Sequence, residues 1–173
     1  MKKILLAVLT MLASLNLSYA QNAIYMKQIG SASNIELEQI GSNNNIGSLT
    51  EYSQSVGSTN NVTVRQTGSQ NTNKFNIQGS TNVYESITGG DSNQTTLVCG
   101  DSIVSCTSAN ITEAITGNLN IVSQTIKGQN ITSSLAITGS SNQVTTSITQ
   151  SNSSSNIAIT GDANNVNSTM NAT

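Results

Sequence analysis

Along this chain a glycine followed within a few residues by asparagine returns about every eleven positions. The stretch from Gln28 to Ile46, QIGSASNIELEQIGSNNNI, says the phrase twice. The marker falls at Gly30, Gly41, Gly57, Gly68, Gly79, Gly89 (or its neighbour Gly90), Gly117, Gly128, Gly139 and Gly161. Gln150, in ITQS, fills the vacant slot between Gly139 and Gly161. Two steps are longer. Gly41 to Gly57 is sixteen, as if five residues around Gly47 to Glu51 were inserted, and Gly89 to Gly117 is twenty-eight, a gap that holds both cysteines. Periodicity on this scale means stacked units, each covering its neighbour, in place of one globular core.

Within a unit, the residues six, four and two before the glycine alternate with polar ones. Examples are Ile35, Leu37, Gln39; Val62, Val64, Gln66; Ile111, Glu113, Ile115; and Ser155, Ile157, Ile159. The intervening Glu36, Glu38, Thr63, Arg65, Thr112 and Thr116 suit solvent. Period two with β-branched residues predicts strands, and Gly and Asn tolerate the left-handed backbone that tight turns need. One unit is therefore a strand and a turn. A lone strand cannot hide its inner face, so two units folded face to face make one flattened coil of about 22 residues. The expected fold class is all-β: a cross-β-like β-solenoid of strand-turn-strand coils stacked at the inter-strand spacing of roughly 4.8 Å. Equivalent residues then form ladders. The slot two before the glycine gives an inward ladder of Gln28, Gln39 and Gln66, followed from Ile87 onward by Ile115, Ile126, Ile137, Ile148 and Ile159.

This ladder chemistry explains how so polar a chain can be ordered. It has no Pro, His or Trp, 8% charged residues and 3% aromatic residues. Such a composition usually leaves too little apolar surface to offset conformational entropy. Stacked amides and a dry seam one side chain thick supply the missing order.

The N-terminal segment reads separately. Lys2 and Lys3 precede an apolar run from Ile4 to Leu12, and Ser18-Tyr19-Ala20 supplies small residues where a signal peptidase cuts. Residues 1–20 are expected to be a secretory signal peptide of bacterial type and 21–173 the repeat domain, with an excursion around 94–110. A membrane anchor is the competing reading, but the run falls short of the roughly 20 residues that a span requires. The remaining chain carries Lys27, Arg65, Lys74 and Lys127 against eight acidic residues. That excludes the basic footprint of a nucleic-acid binder.

Gln39-Ile40-Gly41-Ser42-Asn43-Asn44 and Gln66-Thr67-Gly68-Ser69-Gln70-Asn71 resemble the repeat core of the curlins, Gln-x-Gly-x-x-Asn. The resemblance spans the repeat domain in period, with the Gln form confined to Gln28, Gln39 and Gln66. It implies a divergent member of a family of secreted functional amyloids, a β-solenoid subunit stacked end to end into curli-type fibres for biofilm matrix and adhesion. The implied partners are the chain itself, a nucleator subunit and an outer-membrane export pore. The sequence departs from that family in its two cysteines and in half-units that read alike, where curlins distinguish their two turns.

Individual residues carry further expectations. Cys99 and Cys106 flank Gly-Asp-Ser-Ile-Val-Ser, and in an exported protein they predict a disulfide closing that loop. Glu85 and Glu113 both read as middle inward residues, in VYESITG and ITEAITG. If the cysteine loop counts as half a coil they become stacked carboxylates, sensitive to protons or cations; a register change turning both outward is the alternative. Asp91, Asp101 and Asp162 lie in or beside turns, as gatekeepers against uncontrolled pairing or as ordinary turn residues. With no His, no nucleophile beside a base and no phosphate loop, nothing marks an enzyme, a cofactor or a metal site. The leading expectation is a structural subunit polymerising head to tail through its open end strands, from Ala23 to Ile29 and from Val166 to Met170. The alternatives are a monomeric ice- or glycan-binding solenoid, kept open by outward Thr at 112, 116, 138, 149 and 160, or an adhesin stalk.

Overall fold

The computed structural model describes residues 23–172 apart from 49, 69, 91, 102–105, 118, 140 and 162, and leaves the side chains of 150 and 172 aside. The signal-peptide reading of 1–20, the roles given to Asp91 and Asp162 and the side chain of Gln150 therefore lie outside the described residues.

The described chain is all-β. Its strands are β1 (Ala23–Ile24), β2 (Lys27–Ile29), β3 (Asn34–Ile40), β4 (Asn45–Ile46), β5 (Ser53–Val56), β6 (Asn61–Thr67), β7 (Thr72–Ser80) and β8 (Val83–Thr88). They continue as β9 (Gln94–Cys99), β10 (Cys106–Thr107), β11 (Asn110–Thr116), β12 (Ile121–Gln129), β13 (Thr132–Thr138), β14 (Gln143–Ser151), β15 (Ser154–Thr160) and β16 (Asn165–Ala172). Successive strands fall into two sheets. Sheet A holds ten, in the order β1-β4-β7-β10-β12-β14-β16 with β2, β5 and β9 alongside, and sheet B holds six, β15-β13-β11-β8-β6-β3. The described pairings are parallel, and the chain crosses from one sheet to the other at each turn. This is the parallel β-solenoid architecture.

Register shows how the units align. In sheet B, Ile35 lies beside Val62, then Tyr84, Ile111, Ser133 and Ser155. Hydrogen-bonded neighbours one coil apart are separated by 22 residues, as in Asn60 to Asn82, or by 27, as in Asn44 to Asn71. The longer spacing marks two five-residue insertions, both in sheet A. One separates β4 from β5, which both align on β7. The other separates β9 from β10, which both align on β12 and β7. The five extra residues thus fall between Cys99 and Cys106, inside the expected 94–110, and do not amount to half a coil.

Inward alternation buries Val62, Val64, Phe75, Ile77, Tyr84, Leu97, Ile111, Ile126 and Leu135 between the sheets. The rings of Phe75 and Tyr84 lie 5.3 Å apart between centroids. Full burial of one such side chain contributes about 1.5–3 kcal/mol. The inward ladder resolves into two columns. Gln28, Ser55, Ile77, Cys99, Ile126, Ile148 and Met170 run up sheet A. Gln39, Gln66, Thr88, Ile115, Ile137 and Ile159 run up sheet B.

Thr88, not Ile87, fills that slot, and Ile87 faces outward at 41% exposure. The cause lies in the turn glycine. Gly90, at φ +97°, occupies the ladder position, and a Cβ there would stand 1.3 Å from the carbonyl oxygen of Gly68 one coil away. Gly89 has open space instead, its would-be Cβ meeting only Gln66 O at 3.8 Å. Assigning the turn to Gly89 is therefore corrected by one residue. That shift carries Glu85 to the outer face, beside Thr63 and Thr112.

The two turns of a coil also differ, against the expectation of equivalent half-units. Turns leaving sheet A place a non-glycine residue in the left-handed region, at Ala32, Thr59, Thr81, Ser108, Asn130 and Asn152 with φ of 52–58°. Its N–H then reaches the next coil, as from Thr81 to Thr107 O at 2.7 Å. Turns leaving sheet B carry asparagine on their inner side at every coil, whereas those leaving sheet A do so at Asn60 and Asn82. Gly90→Ala should cost about 3 kcal/mol or more in denaturant unfolding of the purified chain. Gly89→Ala should stay within about 1 kcal/mol, and equal effects would contradict the assigned register.

Candidate assembly edges and buried polar ladders

Each turn leaving sheet B reads Gly-x-x-Asn, and the last residue points into the stack. Asn71 Nδ2 donates to Asn44 Oδ1 at 2.7 Å, Asn93 to Asn71 at 2.6 Å and Asn120 to Asn93 at 2.5 Å. Asn142 continues onto Asn120, and Asn164 onto Asn142 at 2.5 Å. A carboxamide carries donor and acceptor together, so one residue type repeated at the coil spacing satisfies itself indefinitely. A second, shorter amide ladder lies on sheet B. Gln66 Nε2 donates to Gln39 Oε1 at 3.1 Å and to Thr72 O at 2.8 Å, while Gln39 Nε2 reaches Asn45 O at 2.9 Å. Gln28 belongs to the other sheet and donates to Ser33 Oγ at 3.0 Å.

Cys99 and Cys106 form a disulfide, Cα to Cα 5.4 Å, across the neck of the second insertion. Cys99 replaces an inward isoleucine between Ile77 and Ile126, and Cys106 replaces a turn glycine between Gly79 and Gly128. Both are fully buried. Asp101 stands beside the neck and accepts a hydrogen bond from Gln78 Nε2 at 2.8 Å. The bridge ties together two strands that align in register on the same neighbour.

Glu113 stays inward while Glu85 does not, so the two do not stack. Glu113 is 1% exposed, and Gln124 Nε2 donates to its Oε2. Burial pushes its carboxyl up to about 7, opposed in part by that hydrogen bond. Tyr84 is raised above the ordinary phenol range by burial first and by the nearby Glu113 charge second. Sequence reading missed Gln124. Its signal was available, since Gln124 precedes Gly128 by four just as Glu113 precedes Gly117 by four.

At the ends of the stack the columns lose their cover. Val144 is 1% exposed and Val166, its neighbour in the last strand, 48%; Ile148 is 1% exposed and Met170 52%. Ile157 and Ile159 on β15, and Ile24, Met26 and Leu37 at the other end, are half-buried. Among the described strands, β3 and β15 each pair along one side only. The Arg65–Glu36 pair near the β3 end, 2.9 Å long, is exposed on both sides and adds little.

Thr116, Thr138 and Thr160 form one outward column on sheet B, beside Ala114, Ala136 and Ala158, with Thr112 on the same face. Thr149 lies on the other sheet, between Lys127 and Asn171. No group of three or more metal-ligating side chains occurs among the described residues. No helix among them is long and apolar enough to cross a membrane. Comparison with known proteins finds no matching family model, no matching curated protein and no matching solved structure.

Under native conditions thiol reagents should label neither cysteine, with or without mild reductant, because both sulfurs are buried. The Cys99→Ser/Cys106→Ser double variant should lose about 2–3 kcal/mol of unfolding free energy with its strand content intact. Rapid labelling of the untreated chain would contradict the bridge.

Proposed function

We propose that this chain is a secreted structural subunit of an extracellular, curli-type amyloid-like fibre serving biofilm matrix and adhesion. Its coil stack continues from one copy into the next. The observation that carries this reading is the uncovering of the inward columns at the last strand, where Val166 and Met170 emerge about half exposed from columns otherwise buried. An edge strand bearing unpaired backbone groups and open apolar seats is a template for another strand. The contact joins unlike ends, so it does not close, and a filament results. A nucleating subunit and an outer-membrane export pore are the partners this reading adds.

A second reading rests on the Thr116, Thr138 and Thr160 column. Flanked by alanines, it offers a regular column of outward hydroxyls to a monomeric binder of ice or glycan. The two readings part on one experiment. The purified chain, incubated at rising concentration, should form fibres with a cross-β reflection near 4.8 Å and bind thioflavin. Val166→Lys/Met170→Lys should slow elongation at least tenfold while the isolated subunit keeps its strand content. A chain that stays monomeric at high concentration, or a doubly charged variant that elongates like the parent, would overturn the fibre reading.

A further inference from the structure

Near the middle of the stack lies a carboxyl group whose polar surroundings are only half completed. Glu113 is the central inward residue of β11, between Ser86 on β8 and Leu135 on β13. Gln124 is the central inward residue of β12, and like Glu113 it is 1% exposed. They share one hydrogen bond, from Gln124 Nε2 to Glu113 Oε2. Their other two oxygens, Glu113 Oε1 and Gln124 Oε1, are both buried without a hydrogen-bond partner.

Two acceptors cannot satisfy one another, and leaving each unmade costs its desolvation. A carboxylic acid facing a primary carboxamide makes two bonds, amide N–H to acid carbonyl and acid O–H to amide carbonyl. One added proton thus supplies the donor that both orphaned oxygens lack. No cation competes for the site from the strands around it. β8 contributes Tyr84, whose hydroxyl accepts from Asn73 Nδ2 at 2.9 Å, and its Glu85 points outward. The inward residues of β9, β12 and β13 carry no ionisable group, Cys99 being bridged. Lys74 and Lys127 occupy outward positions of β7 and β12.

We propose that Glu113 and Gln124 form a proton-binding clasp: the coils close around a neutral Glu113 whose Oε1 proton is donated to Gln124 Oε1, so folding takes up one proton from solvent. Burial, which raises the carboxyl from 4.5 to about 7, acts in the same direction. Below about 4.5 both folded and unfolded chains hold the proton, and the clasp contributes fully. As pH rises the unfolded chain releases its proton first, and stability is lost until the folded carboxyl also ionises near 7. The clasp belongs to folding of one chain and goes beyond any contact between copies.

The test is equilibrium denaturant unfolding of the full purified chain from pH 4.5 to 8.5, beside Glu113→Gln and Gln124→Leu. The folding constant of the parent should fall about tenfold per pH unit between 4.5 and about 7, roughly 300-fold in all, and level off above. Glu113→Gln, an amide pair that needs no proton, should lose that slope and exceed the parent in stability at pH 8. Gln124→Leu should lower the folding constant at pH 5 at least tenfold, because the protonated carboxyl then loses both of its bonds to the amide. Infrared spectra of the folded parent at pH 6 should show a protonated carboxylic acid band that Glu113→Gln lacks. A flat parent profile, a Glu113→Gln profile as steep as the parent's, or a Glu113 carboxyl that ionises below pH 5 in the folded chain would overturn the clasp. Fibres are not part of this readout, so an intact pH slope without fibres would count against the assembly reading alone.

Discussion

One amide reaching its equivalent in the next coil is the contact on which the rest of this structure depends. The asparagine ladder from Asn44 to Asn164 runs the height of the stack, and each rung donates in the same direction. Buried amides are costly when unpaired and nearly neutral when paired. A polar chain can therefore be ordered only if its coils keep register, since a slip of one residue would orphan every rung together. The apolar seam is thin, and its columns need the same alignment.

That demand for register governs the features around it. Turn positions accept glycine because the preceding coil's carbonyl fills the space a Cβ would take, as at Gly90. Insertions of five residues are tolerated because the strands on either side of each align on the same neighbouring strand. The loop near Gly47 is held by hydrogen bonds from Thr50 N and Glu51 N to Ser48 Oγ. The other is held by a disulfide. The two turns differ: one stacks asparagine side chains on one another, and the other sets a left-handed residue whose N–H reaches onward.

Much of this was legible in the sequence because period two and period eleven both survive in it. The inward assignments of Ile35, Val62, Val64, Ile111 and Ile115 follow from alternation alone. Glu85 and Ile87 were misplaced because Gly89 and Gly90 are adjacent, and parity inverts with the choice between them. Spacing held the answer: Gly90 to Gly117 is 27, the same as Gly41 to Gly68 across the first insertion. The difference between the turns was hidden by reading all units as one series. Taken alternately, the third residue after glycine is always Asn in one series, while the other has Ser33, Asn60, Asn82 and Ile131. The left-handed Thr59 and Thr81 had no local signal, since β-branched residues disfavour that conformation and only the neighbouring coil holds them there.

The stack stands or falls on buried side-chain amides pairing one coil apart. Through-space NMR between labelled asparagine side chains tests it most directly. Asn120 should show contacts from its Nδ2 to the Cγ of Asn93 and from its Cγ to the Nδ2 of Asn142, with carboxamide protons protected from exchange. Absence of those contacts, with side-chain amides exchanging as fast as in an unfolded chain, would contradict the account.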